Sequence, residues 1–167
     1  MPGERVELYA PRDGQTLRVR VVASAGAGFL LAVLWFDLMF DIQVIGQRGA
    51  ELPAGVRDSI ATYYARVTTA ARPMNRLVAA TMLVTVAALI AEAGRGDLAG
   101  WRTWPSLVLA ITAVGLAAGR TVRNAVRLGA RVDDAPEQSR IARRVLRDHL
   151  VCIVAIAGVL VLQLLPA

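Results

Sequence analysis

Long apolar blocks alternate along this chain with short, arginine-rich polar stretches. Val21–Phe40 carries a single charge, Asp37, while Leu77–Ala91, Pro105–Gly119 and Leu150–Ala167 carry none. A helix needs roughly 20 apolar residues to cross the hydrocarbon of a bilayer. The second and third blocks are shorter, but their arginine flanks can snorkel to the interface and lengthen the span. Pro73 and Pro105 fall where the second and third helices would begin, in a first turn that tolerates a missing N–H. The pattern predicts an all-α, integral membrane four-helix bundle, with helices at 21–45, 73–93, 104–131 and 136–166. A polar tail, 1–20, precedes a single transmembrane domain, 21–167. A hydrophobic content of 56% and a mean hydropathy of +0.50 fit this class. A soluble bundle would place its apolar residues in stripes instead of blocks.

The connecting segments carry their own periodicity. In the first loop, Val56, Ile60, Tyr63, Tyr64 and Val67 recur at helical spacing, with Arg57, Asp58 and Arg66 around the rest of the wheel. Residues 53–71 therefore read as an interfacial helix with its tyrosines at headgroup depth, or as a helix packed across the end of the bundle. In the third loop, Arg120, Arg123, Arg127 and Arg131 extend the third helix beyond the membrane. Asp134 with Glu137 resembles a capping box for the outgoing helix, with Pro136 in its first turn. That helix places Arg140, Arg143, Arg144 and Arg147 on one face.

Charge changes the picture in one respect, orientation. All 19 Lys/Arg residues are arginines. The N-terminal tail and second loop hold Arg5, Arg12, Arg18, Arg20, Arg95 and Arg102; the first and third loops hold the rest. The positive-inside rule then puts both termini outside and loops one and three in the cytoplasm. The first twenty residues, with Glu4, Glu7 and four arginines, are too polar for a signal-peptide core. Cys152, the single cysteine, lies within the fourth helix and reads as a small packing residue. Trp101 and Trp104 mark an interfacial belt.

With the topology drawn, most of the unusual polar residues gather at one end of the bundle. Asp37 and Asp41 share one face of the first helix. Arg72, Asn75 and Arg76 start the second helix, Arg120, Arg123 and Asn124 end the third, and Arg147, Asp148 and His149 open the fourth. Asp37 lies about one turn inside the hydrocarbon edge, where an ionised carboxylate costs several kcal/mol unless paired or facing water. Its expected partners are Arg72, Arg76, Arg120 or Arg123. The cluster reads either as an ion-pair network that fixes helix packing or as a small site lined by Asp37, Asp41, Asn124 and His149. Such a site would hold a divalent metal on Asp37, Asp41 and His149, bind a lipid phosphate, or use Asp37 and His149 as an acid–base pair. The set is too small to imply a particular cofactor.

The arginine stripe of Arg127, Arg140, Arg143, Arg144 and Arg147 needs acidic partners, anionic lipid headgroups or solvent, and lipid headgroups are its expected contact. Nucleic acid is excluded, because no aromatic residues lie among these arginines to stack bases. Ser24, Gly28 and Ala32 on the first helix, and Gly115 and Gly119 on the third, form small faces. They would serve packing within one chain or a homo-oligomer.

The segments Trp35-Phe36-Asp37-Leu38-Met39-Phe40-Asp41, Arg72-Pro73-Met74-Asn75-Arg76-Leu77, Arg120 through Gly129 and Arg147-Asp148-His149 resemble those of small bacterial integral membrane proteins with no assigned activity. More distantly, the layout resembles the anthrone oxygenase-like family of four-helix membrane proteins. That family typically has an asparagine after the third helix, matched by Asn124, and an arginine-rich approach to the fourth helix ending in Trp-Asn. Here Asp148 and His149 occupy the places of that pair, and Asp37 and Asp41 have no counterpart in the pattern. The resemblance implies a multi-pass protein of the bacterial inner membrane. Three roles remain open: a charged cluster that contacts anionic lipid or a partner, a small oxygenase-like or lipid-modifying enzyme using Asp37, Asp41, Asn124 and His149, or a transporter or proton-conducting protein.

Overall fold

A computed structural model of the protein describes residues 12–95 and 100–165. They form α1 (Arg12–Asp41), α2 (Ala54–Ala65), α3 (Arg72–Arg95), α4 (Gly100–Leu116), α5 (Val122–Ala130) and α6 (Ala135–Leu164). A 3₁₀ turn, Ile42–Val44, follows α1, and π turns at Arg66–Ala70 and Ala117–Thr121 follow α2 and α4. Four stretches are long and apolar enough to cross a membrane: Gly14–Val44, Pro73–Arg95, Gly100–Ala130 and Ala135–Leu164. Their outward faces carry Leu83, Val108, Ile111, Val154 and Val161 exposed. Such a surface is unfavourable in water and at home in hydrocarbon. The chain is a multi-pass membrane protein of the four-helix class, as its apolar blocks predict.

α1 and α4 both pack on α6, and α3 closes the bundle against α1 and α4. The core between them is built from small residues: Ala23 and Ala27 of α1, Ala88 of α3, Ala110 and Ala113 of α4, and Cys152 and Ala155 of α6, with Leu30, Leu89, Ile156 and Val159. Small side chains let helix backbones come close where no hydrophobic effect drives them together. On α1 the close contact falls at Gly26, where a Cβ would strike the side chain of Thr85. It does not fall on the face expected from the sequence: Gly28, Gly115 and Gly119 have open space where a Cβ would stand, and Ala32 is exposed.

A second core lies at one end. Val44, Leu52, Ile60 and Tyr64 meet Ala125 and Leu128 of α5 and Ile141, Ala142, Val145 and Leu146 of α6. α2 therefore lies across the α5–α6 hairpin as a cap. Its closest approach is at Gly129, where a Cβ would sit 2.6 Å from Ala65 N. The hairpin turns through Arg131 in the left-handed region (φ 54). Asp134 then caps α6 by accepting from Glu137 N at 2.9 Å. The Glu137 side chain turns to Arg140 instead of closing the box. Leu52 N donates to Ser139 Oγ at 2.9 Å, pinning the first loop to α6.

Two boundaries differ from the sequence expectation. α1 already runs at Arg12, so Arg18 and Arg20 stand on a helix instead of in a tail; residues 1–11, with Arg5, lie outside the described residues. The polar start is accommodated because the Arg20 guanidinium donates to the carbonyls of Gln163 (2.5 Å) and Leu165 (3.1 Å), at the end of α6. These terminal carbonyls have no acceptor role within the helix and take up outside donors. α4 begins by Gly100, which puts Pro105 inside it. The helix expected at 104–131 runs unbroken from Gly100 to Ala130, with the Ala117–Thr121 π turn within it between α4 and α5.

A polar cluster at the mouth of a lateral cavity

The aspartates come from the last two turns of α1, one turn apart on one face. Opposite them, α2 ends in Tyr63 and Tyr64, and α6 contributes His149. The Tyr63 hydroxyl donates to Asp37 Oδ1 at 2.6 Å, and the Tyr64 hydroxyl donates to Asp41 Oδ1 at 2.7 Å. These are short, charge-assisted lengths for an O–H on a carboxylate. His149 Nδ1 lies 2.6 Å from Asp41 Oδ2, and its Nε2 lies 3.8 Å from Asp37 Oδ2. Because the carboxylate accepts, Nδ1 carries the proton, and Nε2 of the neutral ring is then an acceptor. Asp41 is fully enclosed, 1% exposed, while the Asp37 side chain is 18% exposed. Phe40 stacks on Tyr63 at 3.9 Å and 11° between ring planes, which holds the phenol over Asp37.

Burial, followed by the nearby Asp37 charge, raises the Tyr63 pKa well above its usual value. Burial, followed by the Asp41 charge, does the same for Tyr64. Both phenols are therefore neutral hydrogen-bond donors at any physiological pH.

The expected arginine partners of Asp37 are not what the fold supplies. Among the described residues, no arginine forms an ion pair with Asp37 or Asp41; Arg120 instead clamps Asp148 with two nitrogens, Nε to Oδ2 at 2.9 Å, and Thr121 adds a 3.2 Å bond. The Ala117–Thr121 π turn is what presents Arg120 and Thr121 together to Asp148. Arg123 folds back on the Gly119 carbonyl, and Arg76 is exposed. The Arg72 side chain lies outside the described residues. Asn75 donates to the Thr68 carbonyl at 3.1 Å, in the π turn that follows α2.

Next to the cluster lies a cavity of about 580 Å³. Its walls are apolar: Leu30, Val33 and Leu34 of α1, Val78 and Met82 of α3, and Ala113 and Val114 of α4. Asp37, Tyr63, Tyr64, Thr121 and His149 line its polar end. Phe36, Met74, Val122 and Val126 line it as well and are exposed on the flank of the bundle, so the cavity opens sideways. Asp41 and Asn124 do not line it; Asn124 is buried on α5, and its Nδ2 has no hydrogen-bond partner among the described residues. The four residues expected to form one site therefore divide: Asp37 and His149 face the cavity, Asp41 supports His149 from behind, and Asn124 stands apart.

This arrangement does not favour a metal on Asp37, Asp41 and His149. Each carboxylate has one oxygen committed to a tyrosine, and Asp41 has the other on the imidazole. Among the described residues, no group of three or more His, Cys, Asp or Glu side chains is placed to hold a metal ion.

The arginine stripe is largely occupied within the chain. Arg127 pairs with Asp133 (2.5 Å), and Arg140 with Glu137 (2.5 Å). Arg143 donates to the carbonyls of Gly49 (2.6 Å) and Ala50 (2.9 Å), clamping the first loop. Arg147 reaches the Arg143 carbonyl at 3.4 Å and is exposed; Arg144 is half-buried.

Of the two readings of the first-loop helix, the structure has the one packed across the end of the bundle; what sequence reasoning missed is that this turns Tyr63 and Tyr64 onto Asp37 and Asp41. Their adjacency, on a segment joined to the same end of the bundle as Asp37 and Asp41, was the available signal. The fold and site define a helical, multi-pass membrane protein with a laterally open apolar cavity tipped by a carboxylate–histidine–tyrosine cluster. No protein-family model, no curated protein and no solved structure matches the chain.

Proposed function

We propose that the protein binds a lipophilic small molecule from the membrane in the lateral cavity, with the molecule's polar head against Asp37, Tyr63 and His149. One observation carries this reading: an apolar cavity of about 580 Å³, within the range of small-molecule sites, ends on a few convergent polar groups. A network serving only helix packing has no need of space beside it. By the arginine distribution, the polar tip faces the cytoplasmic side of the bacterial inner membrane.

A second reading, a small membrane enzyme, rests on the orientation of His149. Asp41 fixes the ring through Nδ1, which leaves Nε2 directed at the cavity as a general base for a bound molecule. An enzyme built this way would use Asp41 to position the imidazole and Tyr63 as a neutral donor.

Photolabelling tests the binding function. The protein is placed in phosphatidylcholine vesicles with a neutral alkyl aryl diazirine, and the labelled peptides are mapped by mass spectrometry. The expected result is labelling at the cavity residues Met82 and Ala113, suppressed in Ala79→Trp, which fills the cavity from α3. Labelling confined to the outward residues Leu83 and Val154, and unchanged by Ala79→Trp, overturns the function.

A further inference from the structure

Resting on the cavity as a ligand site, we infer that its occupant is a lipophilic amine, bound as the ammonium ion with its N–H groups between Asp37 and His149. The polar end of the cavity presents acceptors. Asp37 Oδ2 and His149 Nε2 stand 3.8 Å apart, beyond hydrogen-bond length, and both residues line the cavity. A head group bridging them must donate hydrogen bonds. Tyr63 and Tyr64 spend their O–H donors on the aspartates and leave oxygen lone pairs, Thr68 and Thr121 spend theirs on the Tyr64 carbonyl and Asp148, and Asn75, also in the lining, donates to the Thr68 carbonyl.

Charge points the same way. With His149 neutral, Asp41 receives donors on both oxygens, from Tyr64 and from His149 Nδ1, whereas Asp37 receives Tyr63 alone and faces the cavity with its charge uncompensated when ionised. Among the described residues, no arginine pairs with either carboxylate, and Arg120 is committed to Asp148. In surroundings this apolar, an unbalanced charge is costly. A proton on Asp37 neutralises that carboxylate while the cavity is empty, and a monovalent organic cation offsets it when the cavity is filled. The aromatic rings of Phe36, Phe40 and Tyr63, all lining the cavity, offer π faces to such a cation. A carboxylate or phosphate head would instead meet like charge. A neutral head such as an alcohol would donate a hydrogen bond without balancing the charge.

Competition against the photolabel tests the ligand class. Wild-type protein in phosphatidylcholine vesicles is labelled with the neutral diazirine in the presence of dodecylamine or 1-dodecanol at pH 7, each dosed by its measured mole fraction in the membrane. The amine is expected to halve labelling at Met82 at a concentration at least tenfold below that of the alcohol. In Asp37→Asn, which keeps an acceptor for Tyr63, the two are expected to fall within twofold of each other. Equal protection by amine and alcohol in the wild type overturns the amine assignment and leaves the cavity as a site for neutral lipophiles. A full amine preference persisting in Asp37→Asn also overturns it. Absence of cavity labelling in the first place fails the binding function itself. The wild-type comparison needs no variant and stands even if Asp37→Asn does not fold.

Discussion

The two ends of the bundle use similar polar ingredients and treat them in opposite ways. At the end where α1 starts and α6 finishes, Arg20 and Arg102 reach the carbonyls of Gln163 and Leu165, and Gln163 donates to Glu92 at 2.9 Å. Long guanidinium arms there satisfy helix-terminal acceptors, with small residues packed close beneath. At the other end the arginines lean outward to Asp133, Glu137, Asp148 and loop carbonyls, and the α1 aspartates are left to short-range neutral donors. The first arrangement closes a helix end. The second leaves acceptor oxygens and a ring nitrogen facing open space. The difference teaches that a membrane carboxylate can be satisfied by neutral donors, and its lack of a guanidinium partner among the described residues supports the proposed binding of a ligand beside it.

The comparison can be broken at several points. The largest effect is expected from Asp41→Ala, which strips the acceptor from both Tyr64 and His149 in a buried setting and should cost about 3–5 kcal/mol. Unfolding in a mild detergent measures it, and a loss below about 1 kcal/mol would mean the pairings do not hold the end together. Next comes Gly129→Ala. Its Cβ would press on the Ala65 backbone, which cannot yield as a side chain would, and about 1–3 kcal/mol should be lost. Gly28→Ala, a helix-interior glycine with open space, should instead gain about 0.5–1 kcal/mol, so the pair separates a packing glycine from an incidental one. At the terminal end, Arg20→Met should cost about 1 kcal/mol, the usual worth of a replaceable hydrogen bond, visible as a small drop in unfolding midpoint. The smallest effect is expected from Arg123→Gln. That exposed residue bonds only its own helix turn among the described residues, and stability should stay within about 0.5 kcal/mol of wild type.

The sequence by itself determined the class, the number of spans, the α6 cap at Asp134 and the end of the bundle where Asp37, Asp41 and His149 meet. These follow from signals local to each segment: apolar block length, a capping spacing, and the alternation of ends that successive spans impose. Tertiary structure decided which residues touch. Whether Asp37 meets Arg120 or Tyr63 depends on how α2 lies across α5, and that in turn depends on Gly129 admitting the Ala65 backbone. The π turn that brings Arg120 and Thr121 onto Asp148 leaves no periodic trace in an apolar block. The cavity is the clearest case. It is the space left where α1, α3 and the α4–α5 segment do not close over α6, and an absence of contact is written in no single stretch of the chain.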